Sequence, residues 1–500
     1  MVLFFSTSGS KVKKIGIVGA GVAGLQVARS LKERGFDCVL FDKAPDVGGL
    51  WRENYTGFGI QVQRKLFEFP DFPASYGDYA SGPEIQEYIK SFAIKHDILS
   101  KTRLNTTVEK IARRPDGERG WELTVKTPTG NQEKHTFDYT VICQGMYSTT
   151  PNRIHYENEG QFAGKILHSS EYLSPSISEG KKVVVVGSGK SAIDIAMNAG
   201  EVGNRSTLLF RNAHWGTPRL IAGLIPVRFV FASRFGQALV SWYKGAWPSQ
   251  GAAIKIAHQI LSPVISGAFR VVEAIFAFQF NHKGKWKPSM DFVKDFYGYA
   301  QIHCPTFTNM VSAGKVQTVQ GEIQRFTQDG VILKDGSKLE ADVVVLGTGF
   351  LKKYAFFDAA MVKQLGVEED GLYLYRHILP SHVPDMAFVG AESASLSNIT
   401  TFAIQSEWLA RLLNGELKQP EPSVMADEIN KIKEWKRSWM PFTTSRAGII
   451  LAHWIHYHDE LLKDMKIPHR RKGTNYLAEV FAPYEPSDYR DVLTTSVKSA

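Results

Sequence analysis

Cysteine is scarce, with only 3 in 500 residues. Cys38, Cys143 and Cys304 lie far apart and any pairing leaves one over, which argues against a disulfide framework and a zinc site. An acidic balance is missing too: 59 basic against 50 acidic residues give a formal +9. That sign suits phosphorylated ligands or an anionic membrane surface, but it is thinly spread. The densest basic run, His469 to Lys472, is short and no nucleic-acid motif accompanies it, so no nucleic-acid partner is expected. Long apolar runs are also lacking. Within the aromatic and apolar segment His214 to Lys287 the longest uncharged run, Ile256 to Phe269, has 14 residues, short of the roughly 18 to 20 that a spanning helix needs. Met1 to Phe5 is apolar but turns polar at Ser6, too short for a signal-peptide core, and no apolar tail closes the chain. No catalytic triad, acid pair or metal-ligand cluster is visible. What is there, 43% hydrophobic and 22% charged residues, describes an ordinary globular protein with two or three cores in a reducing, cytoplasmic setting.

Two glycine-rich loops stand out. Lys14 to Val18 is a short apolar run that ends in Gly19-Ala20-Gly21-Val22-Ala23-Gly24, and Leu25, Ala28 and Leu31 then carry helical spacing. In a strand-loop-helix unit, Gly19 serves the turn, Gly21 lets a pyrophosphate approach the backbone, and Gly24 packs the helix on the strand. A second apolar run, Cys38 to Phe41, ends at Asp42, 23 residues after Gly19, where a carboxylate can bond a ribose hydroxyl. The other loop follows the buried strand Lys181 to Val186 and reads Gly187-Ser188-Gly189-Lys190-Ser191-Ala192 before a helix. A P-loop is ruled out because Val184 stands where its first glycine belongs. The next strand, Ser206 to Phe210, ends at Arg211 with no acid beside it, as expected when a ribose 2′-phosphate is paired. The second nucleotide is therefore expected to be NADPH.

Between the loops lies Phe162-Ala-Gly-Lys-Ile-Leu-His168-Ser-Ser-Glu-Tyr172. Its Phe-x-Gly-x-x-x-His-x-x-x-Tyr pattern, flanked by both fingerprints, resembles the signature of the class B flavin-dependent monooxygenases. Val47-Gly48-Gly49-Leu50-Trp51-Arg52 resembles the loop that passes the FAD pyrophosphate and flavin, which makes FAD the first nucleotide and Gly49, Leu50 and Trp51 its neighbours. By register on Phe69 to Pro73, Gln61 occupies the place where the animal-type enzymes carry an asparagine near the reactive flavin edge. Leu346-Gly347-Thr348-Gly349-Phe350 resembles the family's linker motif, with Thr348 as a cofactor contact, and Ser397-Asn398-Ile399-Thr400 opens a helix resembling the final flavin-contacting one. Its N-terminal dipole would face flavin oxygens, with Asn398 as a flavin ligand or a cap. The C-terminal run Asn475 to Tyr484 and Arg211 to Pro218 resemble the plant pipecolate N-hydroxylating subgroup.

The resemblance implies an α/β fold of two Rossmann-like domains, an FAD domain (1–177 and 336–500) with an NADPH domain (178–335) inserted. The latter carries a largely helical apolar insert at about 214–287, expected as amphipathic helices that cap the site, pack on the domain or lie on a membrane surface. It implies an NADPH- and O2-dependent monooxygenase that oxygenates a soft nitrogen or sulfur nucleophile through a C4a-hydroperoxyflavin, a cyclic amino acid such as pipecolate among the candidates. The protein would then be cytoplasmic, with peripheral contact at the endoplasmic reticulum membrane as the membrane alternative. The ketone-oxidising Baeyer-Villiger class typically shows Trp followed by Pro or Asp where this chain has Tyr172-Leu173. A disulfide reductase would share both fingerprints, but needs a close cysteine pair, and the nearest two here are 105 residues apart. A flavin-binding sensor would have little need of the second fingerprint.

Overall fold

The computed structural model describes residues 12–494 except 148–149, 245–246, 249–250, 300, 304–305 and 452. The apolar start Met1 to Phe5, Cys304 and the end of the chain beyond 494 lie outside the described residues. Two parallel sheets organise the rest. Their elements run, in chain order, β1 (Lys14–Val18), α1 (Val22–Lys32), β2 (Asp37–Phe41), β3 (Thr102–Arg103), β4 (Tyr139–Ile142), β5 (Lys165–His168), β6 (Lys182–Val186), α2 (Lys190–Val202), β7 (Arg205–Phe210), α3 (Ala252–Gln279), β8 (Val316–Gln320), β9 (Val343–Leu346), β10 (Met386–Phe388) and α4 (Asn398–Leu413).

The first sheet has the order β10-β4-β1-β2-β3 and the second β8-β7-β6-β9-β5. Every neighbouring pair in both is parallel. Parallel strands covered on both faces read as continuous apolar runs, and Ile15, Ile17, Val183, Val185 and Val345 are all buried. Each unit also carries an antiparallel three-stranded meander, Thr107–Arg113, Trp121–Lys126 and Gln132–Phe137 in the first, Ile323–Thr327, Gly330–Leu333 and Lys338–Glu340 in the second.

The second sheet is wider than the expected span 178–335. Both β5 and β9 lie outside it, with Val343 in register with Val183 on one side and Lys165 on the other. The stretch Lys338 to Phe350 therefore supplies a central strand of the second unit before it returns to the first. The physical reason is that a buried parallel strand needs a hydrogen-bonded neighbour on each edge, and an apolar run alone does not say which neighbour it has.

The insert is also more continuous than expected. A hairpin, Leu220–Ile221 with Ile225–Pro226, leads into short helices, and α3 then runs unbroken for 28 residues through Pro263, Arg270 and Glu273. By length and composition it could cross a membrane: its best window has a mean hydropathy of 1.6 and only 17% of it is buried. Phe231 and Phe276 of the insert pack with Phe292 and Phe296, just beyond it, and with Met440 and Ile449 of the C-terminal segment in one core. The C-terminal segment laces it to the first unit. Arg234 bonds Asp459 at 2.6 and 2.9 Å and Glu479 at 2.7 Å, and the Tyr484 amide donates to Ala232 at 2.6 Å.

Candidate active site between two nucleotide loops

The two glycine loops are built alike but solve one packing problem differently. Gly19 has φ +108 and Gly187 φ +131, and a Cβ on either would stand 2.4 Å from a carbonyl of the neighbouring strand's exit, Cys143 O and Gly347 O respectively. In the first loop the helix approaches so closely that a Cβ at Gly24 would meet Gly19 O at 1.9 Å. In the second, Ala192 takes the equivalent place, and its methyl lies 2.7 Å from where a Cβ on Gly347 would be. The glycine at 347, where the family motif usually has alanine, is what makes room for Ala192.

These loops fit the nucleotides the fingerprints imply. Gly21 and Gly49 face each other across the first loop, where a Cβ on Gly49 would come within 3.1 Å of the Gly21 Cα, so no side chain at 49 stands over the loop. Helix α1 starts there with no side-chain cap, leaving its first amides for an anion. Asp42 at the end of β2 accepts from the Ala20 amide at 2.7 Å and the Ala44 amide at 2.8 Å. Each carboxylate oxygen keeps a lone pair for a ribose hydroxyl. Leu50 is exposed and Trp51 packs on Phe58 and Phe67. Helix α2 likewise starts uncapped at Gly189, followed by Ser191 in its first turn. Lys190 is paired with Asp194 one turn on, and Arg211 stands exposed at the end of β7, its carbonyl accepting from Gln320 at 3.0 Å.

Hydrogen bonds fix the exits of β5 and β9 and join the second unit to the first. His168, buried at the end of β5, bonds the Gly349 carbonyl through Nε2 at 2.9 Å. A carbonyl only accepts, so the proton is assigned to Nε2, and Nδ1 accepts from the Ser170 amide at 3.2 Å. Burial lowers the pKa of this histidine, which keeps it neutral. Thr348 beside it donates to the Asn152 carbonyl, so its hydroxyl braces the two linkers and keeps its lone pairs to accept from a nucleotide. Tyr172 bonds Ser178 at 2.7 Å, and its carbonyl accepts from the Thr56 amide at 2.8 Å. Next to Thr56, Tyr55 donates to Asp194 at 2.8 Å, tying the first unit's loop to α2. The sequence offered no sign of Tyr55, and the only trace of Asp194 was its spacing of four from Lys190.

Gln61 and Asn398 come from distant segments that meet. Gln61 is half-buried, and Leu66, five residues on, accepts through its carbonyl from Ser397 Oγ at 3.2 Å. Asn398 does not cap α4. Its Oδ1 accepts from the Ser395 amide at 2.8 Å. Beside both lies a small apolar cavity walled by Val62, Leu66, Phe231, Phe296 and Leu396. Val227, Thr217 and Arg228 complete its wall, the last two through their apolar atoms. Thr217, Arg228 and Phe231 come from the part of the insert that sequence patterning left unread.

Cys38 and Cys143 are buried, and burial pushes the Cys38 thiol up to about 12 and Cys143 higher still, so neither is a nucleophile.

A family model described as "Flavin-binding monooxygenase-like" matches residues 12–250 and 271–470. A probable flavin-containing monooxygenase 1 of Arabidopsis thaliana is 28% identical over 519 residues, covering 95% of this chain and 96% of that one. Among solved structures, the S-allyl-L-cysteine S-oxygenase from Allium sativum has a TM-score of 0.61 at 19% identity over 91% of this chain and 89% of that one. An open form of cyclohexanone monooxygenase has a TM-score of 0.66 at 19% identity over 91% and 98%. At these identities the two structures are alike in fold.

Proposed function

Since the chain belongs to the flavin-binding monooxygenase-like family, we propose that it transfers one oxygen atom of O2 to a small soft nucleophile, a nitrogen or sulfur centre, with a cyclic amino acid such as pipecolate the first substrate to try. It is an FAD-dependent enzyme that draws its electrons from NADPH. We assign FAD to the first sheet, held by Gly19, Gly21, Gly24, Asp42 and the Gly49 to Trp51 turn. NADPH goes to the second, at Gly187, Gly189, Lys190, Ser191 and Arg211. Bound FAD supplies the oxygen-activating chemistry, and the chain supplies position and a dry site.

The observation that carries the reading is that the segment following Gln61 meets the α4 N-terminus, through Leu66 and Ser397, beside an apolar cavity. Gln61 and the Asn398 amide would orient the flavin edge, the helix N-terminus would favour negative charge there, and the apolar walls would exclude water. The test is turnover of the FAD-loaded protein with NADPH and 18O2 on a panel of amines, thioethers, cyclic amino acids and ketones. One 18O on nitrogen or sulfur is expected. Ester formation from the ketones would instead place the chain with the Baeyer-Villiger enzymes, and no NADPH consumption would sink the reading.

The insert supports a second, separate assignment, peripheral contact with an anionic lipid surface. Ile256, Ile260, Val264, Val271 and Phe278 are 56, 71, 71, 60 and 90% exposed. At about 100° per residue they fall within roughly 80° of one another on α3. Ile265, Phe269 and Phe276 point the opposite way and are buried. One face holds the protein while the other is apolar and uncovered. Leu224 of the neighbouring hairpin, 81% exposed, extends the patch, and Gln279 ties that hairpin to α3 through Leu220 at 2.8 Å. Residues 251–270, most of this helix, fall outside the family match. Co-flotation with vesicles is the measurement that decides it.

A further inference from the structure

The loop that leads to Gln61 belongs to the first unit but docks on the second. Tyr55, 9% exposed, is part of the second unit's core, together with Tyr172, Val183 and Ile195. Gly57 follows with φ +81, and a Cβ there would stand 2.8 Å from Asn198 Nδ2, so the loop packs closely on α2. Asn198 Nδ2 donates to the Thr56 carbonyl at 3.4 Å and to the Asp194 carbonyl, one turn back, at 3.1 Å. At the centre of this contact is the Asp194 carboxylate, on a residue 4% exposed. Its Oδ2 accepts from the Tyr55 hydroxyl at 2.8 Å and its Oδ1 from the Lys190 ammonium at the start of α2. A buried carboxylate needs partners for its oxygens, and here one comes from each unit. Among the described residues the Lys190 ammonium bonds only Asp194, so two of its three protons are uncommitted. It stands in the first turn of a helix that starts without a side-chain cap.

We propose that Tyr55 is a positioning residue for the second nucleotide: by holding Asp194, its phenol frees the Lys190 ammonium to turn to a phosphate of NADPH. This rests on the assignment of Lys190 to NADPH and adds a residue of the other unit to that site. Asp194 and the phosphate compete for one cation. When Lys190 turns to the phosphate, the buried carboxylate loses its charged partner, a loss that opposes cofactor binding. A phenol already donating to Asp194 reduces that opposition, because the carboxylate keeps one hydrogen bond when the ammonium leaves. Burial, and then the Asp194 charge, raise the Tyr55 pKa, so the phenol stays a donor. Without the phenol, both carboxylate oxygens are free to hold the cation against the helix. The same bond makes NADPH binding depend on a seated loop. By linkage, a bound nucleotide steadies that loop six residues before Gln61.

The test is equilibrium binding of NADP+ to the resting FAD-loaded protein, read by calorimetry, with Tyr55→Phe and Lys190→Met made singly and together. Tyr55→Phe keeps the ring in its core and is expected to weaken NADP+ about three- to tenfold, with FAD content unchanged. In the Lys190→Met background the same change is expected to move the affinity by less than about twofold, because no ammonium is left to release. A merely structural loss would be equal in both backgrounds. Asp194→Asn still accepts from Tyr55 but no longer holds Lys190 by charge, and it is expected to bind NADP+ about two- to fivefold more tightly than the wild-type protein. That variant keeps the proposal testable if Tyr55→Phe does not fold. An unchanged affinity in Tyr55→Phe, an equal loss in both backgrounds, or weaker binding by Asp194→Asn would overturn it. Each of these leaves the NADPH reading standing, whereas a wild-type protein that binds no NADP+ would sink both.

Discussion

Gly347 and Ala192 show how a departure from a motif is explained by its neighbour. Neither residue has a reason of its own to be what it is, but each occupies the space the other vacates. Gly347→Ala is expected to push a methyl to 2.7 Å from Ala192 Cβ and to cost about 1 to 3 kcal/mol of overpacking. Adding Ala192→Gly should return most of that loss, less up to about 1 kcal/mol for glycine in a helix. A double-mutant cycle by thermal melting reads the coupling, and additive effects would refute the account. The fingerprint glycines were legible in sequence because only glycine tolerates their conformation or their close contacts. The exchange between 192 and 347 was not, because the two stand 155 positions apart in the sequence and meet only when β6 and β9 pair.

Among the elements, the joint and α3 behave oppositely. In the signature Phe162 to Tyr172, which lies between the two nucleotide loops, His168 ties the exits of β5 and β9 within the second unit, while Tyr172 accepts from Thr56 and Tyr55 donates to Asp194 across the units. Helix α3 was read as shorter amphipathic pieces because its charges interrupt the apolar run. A helix tolerates them when they sit off the uncovered stripe. Glu273, for one, accepts from the Phe292 amide at 2.9 Å on the protein side. If the uncovered stripe meets lipid, the wild-type protein should float with vesicles containing anionic lipid, and Ile260→Glu with Val264→Glu should reduce the bound fraction about tenfold. A wild-type protein that stays with the unbound fraction would remove the membrane assignment and leave the enzyme assignment intact.

At the scale of the molecule, buried neutral histidines set its response to acid. Burial lowers His458 to about 3 and holds His377 and His453 well below 6.5. The unfolded chain takes up protons near pH 6.5 while the folded one does not, so stability is full above that pH and falls as the pH drops toward 3. The melting temperature should decline steadily from pH 6.5 to 4, and His458→Gln should make the slope shallower by up to about 1.4 kcal/mol per pH unit. A flat profile would show that these groups take up protons in the folded state. The sequence by itself determined the two nucleotide loops, their order, the family and the cofactors, because each depends on short-range geometry that a few residue types satisfy. Tertiary structure alone decided which strands complete the second sheet, that Thr348 braces a linker, and that Thr217, Arg228 and Phe231 share a cavity with Leu66 and Leu396. Those facts depend on contacts between segments more than 100 residues apart, and no local pattern in the chain encodes which distant surface will cover a given side chain.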